Sequence, residues 1–277
     1  MHTLINMSTI GRPMIHVSML DTWSRCQIQW QRRYGARFGL WHTEEIVPPG
    51  VAAAVGTAVH EAIAHALREK ISGVITPTDE VMEIARDQCV SMWQAGLLLT
   101  TTEESDIDRA MGRSIDDSVS MASFYHTTRL PEINPAGVES KFNITLPYYD
   151  FNLGGVIDII DDNTDIIDIK TGKRNFSSAI TLQMAIYSIL VKATTKKFPR
   201  MVIIDKLGKN KVESLSSTPN DNWIRPAMMR IQVFAEWIQN VKAGKAPVLP
   251  AAPDSWVCTS AYCGYSRNCR YWTGREK

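Results

Sequence analysis

Leu153-Gly-Gly-Val-Ile-Asp158, then Asp165-Ile-Ile-Asp168-Ile-Lys170-Thr-Gly172, then Gln183-Met-Ala-Ile-Tyr187 are the stretches that decide how this chain folds. Val156, Ile157, Ile159 and Ile160 form one β-branched run, and Ile166, Ile167 and Ile169 form the next. Asp162-Asn163 between them is a hairpin turn signal. Asp158 interrupts the first run from inside, and Asp168 and Lys170 interrupt the second. Positions i and i+2 of a strand share a face, so Asp168 and Lys170 point one way and Ile169 the other. A helix follows, with Gln183 and Tyr187 at i and i+4 on one side. Two adjacent strands thus offer two carboxylates and one ammonium, with an amide and a phenol close behind.

Taken alone, an Asp-x-Lys pair is equally well a salt bridge or the solvated face of a hairpin. Taken together, Gly155-Val-Ile-Asp158, Asp168-Ile-Lys170 and Gln183-x-x-x-Tyr187 resemble the RecB-like branch of the PD-(D/E)xK nucleases. That branch includes CRISPR-associated RecB-like, AddB-type and phage exonuclease members. Its strand motifs read G-x-x-D and (D/E)-x-K, followed by Q-x-x-x-Y. The resemblance implies an α/β fold: a restriction-endonuclease-like mixed sheet flanked by helices, with a helical insertion and a cysteine-stapled C-terminus. It further implies that Asp158, Asp168, Lys170, Gln183 and Tyr187 are catalytic. Asp158 and Asp168 would ligate Mg²⁺ or Mn²⁺, helped by the Ile169 carbonyl, since hard cations favour oxygen ligands.

The same resemblance gives meaning to a histidine on the alanine-rich helix that begins near Val51. His60-Glu61 does not fit a zinc peptidase, because His60 and His65 are five apart, about 140° around a helix. Gly56-Thr-Ala-Val-His60 does match the family's G-x-x-x-H, which makes His60 a further metal ligand. Glu139, on the strand before Gly155, is either a neighbour of the site or a solvent-facing edge residue.

The 277 residues carry a net charge of +1, which favours no partner class by itself. The distribution is uneven. Five aspartates and no base lie between positions 158 and 168, whereas ten Lys or Arg and one acid lie between 169 and 211. An acidic knot beside a basic field suits a metal-dependent enzyme acting on a polyanion. Lys173 and Arg174, nearest the motif, are the expected DNA contacts.

Cys258, Cys263 and Cys269 fall in a loop-like tail, and Cys26 and Cys89 lie far upstream. Clustered thiols in a reducing compartment point to metal rather than disulfides. Soft thiolates favour zinc or an iron–sulfur cluster. Three ligands are one short, and Cys26 is the natural fourth. RecB-like nucleases with a 4Fe-4S cluster show this layout, and Cys263-Gly-Tyr265-x-x-x-Cys269 fits their ending. The C-x4-C spacing of Cys258 and Cys263 departs from the usual C-x-x-C, with Ser260 where the nearer Cys would stand. Zinc is therefore the second choice. Cys89, on an amphipathic helix, is expected as a buried thiol.

The chain is expected as one nuclease domain over 1–277. Within it, 18–47 holds an N-terminal helix with the first Cys, 51–130 a helical region, 136–243 the nuclease core and 246–277 the cysteine loop. One helix is expected over about 18–38, and another over about 220–242 burying Trp223, Met228, Ile231, Phe234, Ile238 and Val241. No membrane span or secretory signal is apparent, so the expected location is cytoplasmic.

The function expected is metal-dependent hydrolysis of DNA, as an exonuclease on single-stranded ends in recombination, repair or a related process. No nucleotide-binding motif of the Gly-x-x-x-x-Gly-Lys-Ser/Thr type occurs, so a helicase, if one is needed, is a separate partner. The alternative is a non-catalytic DNA-end or partner-binding module on the same fold.

Overall fold

The structure is a computed structural model that describes residues 11–172, 177–260 and 262–274. A mixed sheet of six strands is built around β3 (Asn152–Asp161). The antiparallel β2 (Pro135–Thr145) covers one edge of it. The other edge is shared: β1 (Met14–Ile15) pairs in parallel with the start of β3, and β4 (Ile166–Lys170) pairs antiparallel with its end. Beyond β4 lie β5 (Val202–Gly208), parallel to it, and β6 (Lys211–Ser217), the hairpin partner of β5.

Alternation along β4 and β5 sends apolar side chains to both faces, and each face is covered by helices. On one face, Leu153, Ile157, Ile166, Val202 and Ile204 pack against α7 (Leu182–Thr195) and α8 (Asp221–Lys242), together with the N-terminal helices α1 (Val17–Arg25) and α2 (Gln27–Tyr34). On the other, Ile159, Ile167, Ile169 and Leu207 pack against α3 (Val51–Ile71), α4 (Thr78–Ala95) and α6 (Ile107–Thr128). The short α5 (Thr101–Glu104) is closed by a capping box between Thr100 and Glu103. Among the described residues no helix is long and apolar enough to cross a membrane.

The structure departs from the sequence reading in three places. The single helix expected over 18–38 is two, because Cys26 is extended (φ −159°, ψ 109°) and serves as the N-cap of α2, its Sγ accepting from Gln29 N at 3.4 Å. Met228 of α8 is exposed, not buried: Ile224, Ala227, Ile231, Phe234, Ala235 and Ile238 form the buried stripe, which passes beside it. Met14 and Ile15, outside every element expected from the sequence, form a strand. Gly154 makes this possible, since a Cβ there would overlap the Met14 side chain.

Candidate active site

The site lies where β3 and β4 part. Their ladder pairs Ile160 with Ile166 and Ile159 with Ile167, and the next rung of that register sets Asp158 opposite Asp168. The rung does not form. Instead the Asp158 carboxylate turns to β4 and its Oδ2 accepts the N–H of Ile169 at 3.0 Å. The side-chain alternation of β3 also changes phase here: Ile157 packs on the α7 side and Ile159 on the α3 side, although residues two apart in a regular strand share a face. Across from Asp158, Glu139 of β2 has φ +46°. This local distortion lets Asp158 reach β4. Glu139 itself points away and pairs with Arg68 of α3.

Asp168 and Asp205 stand on neighbouring strands, one rung apart, and both are fully buried. Their surroundings differ in a way that sorts structure from function. Asp205 accepts from Tyr125 OH at 2.8 Å, Arg129 Nε at 3.0 Å and Ser214 Oγ at 2.5 Å, which ties α6 to the sheet and uses both oxygens. Asp168 Oδ1 accepts only from Gln183 Nε2, at 2.8 Å. Its Oδ2 has the Lys170 ammonium 2.7 Å away, an ion pair without hydrogen-bond directionality, and no other partner. A buried carboxylate oxygen with a single ion-pair partner keeps lone pairs that the described residues do not use. Burial first, and then the charge of Asp158, raise the Asp168 pKa to about 7, with Lys170 pulling it back.

The other residues singled out in the sequence converge on this pair. Thr181 caps α7 by accepting from Met184 N, which fixes the start of the helix. Gln183 then donates to both Asp168 Oδ1 and Tyr187 OH, the latter at 2.9 Å. Burial raises the Tyr187 pKa, so the phenol keeps its proton. Gly155 makes room for that ring: a Cβ there would lie 3.0 Å from Tyr187 Cε1 and 3.1 Å from Leu190 Cδ1. The same kind of clearance brings in α3. A Cβ on Gly56 would sit 3.1 Å from Thr171 Oγ1, so glycine lets the helix lie against the end of β4. One turn later His60 Nε2 donates to the Ile169 carbonyl at 2.9 Å, and its Nδ1 lies 3.5 Å from Asp158 Oδ2.

Asp158, Asp168, His60, the Ile169 carbonyl, Lys170, Gln183 and Tyr187 are therefore brought together. Lys173 and Arg174 fall outside the described residues. Much of the basic field around them is committed elsewhere: Lys192 pairs with Asp221, Arg200 with Asp165, Lys206 with Glu213 and Lys209 with Asp117. Those acids were invisible as partners in the sequence because most are distant along it.

A second constellation lies at the C-terminus. Cys26, Cys258, Cys263 and Cys269 line one small cavity between α2 and the tail. Burial pushes the Cys26 and Cys263 thiols up, and the other cysteines add to the rise at Cys263. The loop is held by Arg32, which sequence reasoning passed over as a helix-end charge. Its guanidinium makes a bidentate pair with Glu45, contacts the carbonyls of Tyr265 and Asn268 at 3.5 and 3.4 Å, and lies 4.6 Å from the Tyr265 ring centre. Tyr265 OH donates to Glu45 O at 2.6 Å. Cys89 is buried beside Ser114, away from this cavity. Among the described residues, no three His, Cys, Asp or Glu side chains stand at mutual metal-ligand spacing, in either constellation.

The model of the PD-(D/E)XK nuclease superfamily matches residues 15–270, which spans the sheet, the flanking helices and the cysteine tail. The chain belongs to this superfamily. These are hydrolytic nucleases of DNA that generally use divalent metals such as Mg²⁺ or Mn²⁺. Among solved structures, a candidate exonuclease from Eubacterium rectale shares the fold with a TM-score of 0.52 at 12% identity, over 93% of this chain and 92% of that one. The structure of SSO0001 is more distant, with a TM-score of 0.36 and 15% identity over 61% of this chain and 79% of that one. A search of curated proteins finds no match.

Proposed function

We propose that this nuclease belongs to the RecB-like branch and is a Mg²⁺- or Mn²⁺-dependent deoxyribonuclease that degrades single-stranded DNA from an end. The observation that carries the reading is the buried Oδ2 of Asp168, whose one described partner is the Lys170 ammonium on the same strand face, faced by Asp158 across the parted strands. Asp205, one rung away and fully satisfied, has the chemistry of a structural acid; Asp168 does not.

Asp158, Asp168 and His60 would hold the cation, with the Ile169 carbonyl completing the oxygen set. When bound, such an ion polarises the scissile phosphate and lowers the pKa of a water. Lys170 orients the attacking water and offsets charge building on the phosphorus. Gln183 holds Asp168 in place from α7, and the protonated Tyr187 behind it is a donor for the nucleic-acid backbone. The four thiols around one cavity suit a 4Fe-4S cluster, with zinc as second choice, in a role that fixes the tail against α2. A helicase or recombination protein is the partner that this reading suggests.

A time course on end-labelled single-stranded and duplex DNA with Mn²⁺, with blocked ends as a control, tests this. Loss of cleavage in Asp158→Ala and in Lys170→Ala, with DNA binding retained, is the expected result. Normal cutting by both variants would show the assignment to be wrong. Binding without cleavage in the wild type would favour a non-catalytic end-binding module.

A further inference from the structure

A groove of about 1350 Å³ leads away from the end of β4, where Thr171 and Gly172 follow Lys170, and runs between α6 and the cysteine tail. Of its three acids, Asp117 is neutralised by a lysine, and the other two stay charged while they hold helix-end N–H groups. Glu103 closes the capping box on Thr100, Asp106 caps α6 through Arg109 N–H, and Asp117 pairs with Lys209. Its arginines lack acidic partners among the described residues, although the Arg33 guanidinium sits 5.3 Å from the centre of the Tyr34 ring. Arg33, Arg109 and Arg113 line the groove, and none has an ion pair with a described carboxylate. Arg109 and Arg113 stand at i and i+4, so both project from one side of α6, and both are exposed. On the opposite wall lies the half-exposed ring of Tyr262, which meets the Trp256 ring edge to face at 5.1 Å.

Cations without partners along a concave surface are costly to assemble unless a polyanion neutralises them, and they release its counterions when it binds. An arginine track facing an aromatic ring fits a strand whose backbone lies on the cations and whose bases are free to stack. In a duplex those base faces are already stacked on one another. Among the described residues, Lys192, Arg200, Lys206 and Lys209 are paired with acids, so the groove offers phosphate contacts that they do not.

We propose that this groove is the path of the substrate strand, with Arg109 and Arg113 of α6 and Arg33 across from them holding the phosphates of single-stranded DNA that leads to the cleavage site. This rests on the nuclease reading and adds the residues that choose an unpaired strand.

The test uses the full-length protein in Ca²⁺ to suppress cleavage. Binding of a fluorescent single-stranded oligonucleotide is followed by anisotropy over a KCl series, for the wild type, Arg109→Ala/Arg113→Ala and Arg109→Lys/Arg113→Lys. The alanine variant should bind about tenfold or more weakly, and its plot of log K against log salt should be flatter by about 1.4, from two contacts at about 0.7 each. The lysine variant should keep most of the slope, and duplex of equal length should lose less affinity than single strand. Circular dichroism melting confirms that the variants are folded, as expected for exposed helix positions. Unchanged affinity and slope in the alanine variant would overturn the track, and equal loss for duplex would overturn the preference for an unpaired strand. Mn²⁺-dependent hydrolysis of bis(p-nitrophenyl) phosphate by the wild type, a diester too small to span the groove, tests the nuclease reading separately. If that fails, the salt slopes still decide whether the track exists.

Discussion

Replacing Asp168 by Asn separates the stability of the metal-free protein from its chemistry. Burial and the neighbouring Asp158 raise the Asp168 pKa from 3.8 to about 7. The native state therefore holds this proton more tightly than the unfolded chain does, and the wild type loses stability as pH rises from about 4 through 7. A shift of about three units sets a ceiling of about 4 kcal/mol, at about 1.36 kcal/mol per unit. The variant forfeits the ion pair with Lys170 and leaves that ammonium without its counter-charge, so the net gain on substitution is roughly 1–2 kcal/mol at pH 8. Gln183 still has an Asn carbonyl to donate to. For a chain of this size that gain is about 2–6 °C in Tm. Thermal melts in EDTA should show Asp168→Asn above the wild type at pH 8, with the gap narrowing below pH 7 and closing only near pH 4, where the unfolded carboxyl is protonated too. Mn²⁺ should then raise the wild type and leave the variant unmoved. A variant less stable than the wild type in EDTA at pH 8, or a gap indifferent to pH, would refute the reasoning.

Gly155→Ala should cost about 1–3 kcal/mol by pressing on Tyr187 and Leu190, and should lower kcat by displacing the phenol; urea unfolding and steady-state kinetics check both. Arg32→Ala should expose the C-terminal tail to limited proteolysis while the sheet stays protected, because the Glu45 pair and both carbonyl contacts go together. Cys263→Ser should abolish bound iron, or zinc, in elemental analysis of anaerobically prepared protein while leaving the Asp168 pH effect intact.

The mixed sheet flanked by helices, and the closeness of the motif residues to one another, were legible because they sit on neighbouring segments with clear periodicity. Asp158, Asp168, Lys170, Gln183 and Tyr187 fall within thirty residues, and the two-residue strand period puts Asp168 and Lys170 on one face. What escaped was set by partners distant in the chain. Nothing near Cys26 says that its thiol caps a helix, and so breaks one expected helix into two. The lysines after position 190 look like a phosphate field until Asp117, Glu213 and Asp221 are seen beside them. The arginines of α6 gave one signal, an i, i+4 repeat on an amphipathic helix, but only the fold puts that face on the groove. Glu139 could be read either way from sequence, and its pairing with Arg68 decides it.

The central claim is that Asp158, Asp168 and His60 enclose one divalent cation with the Lys170 ammonium alongside. A crystal grown with Mn²⁺ and measured at the manganese absorption edge tests it most directly. The anomalous peak should lie between β3, β4 and α3, within bonding distance of both carboxylates and of the His60 ring. A peak ligated by other residues, or none at that position in fully loaded crystals, would contradict it.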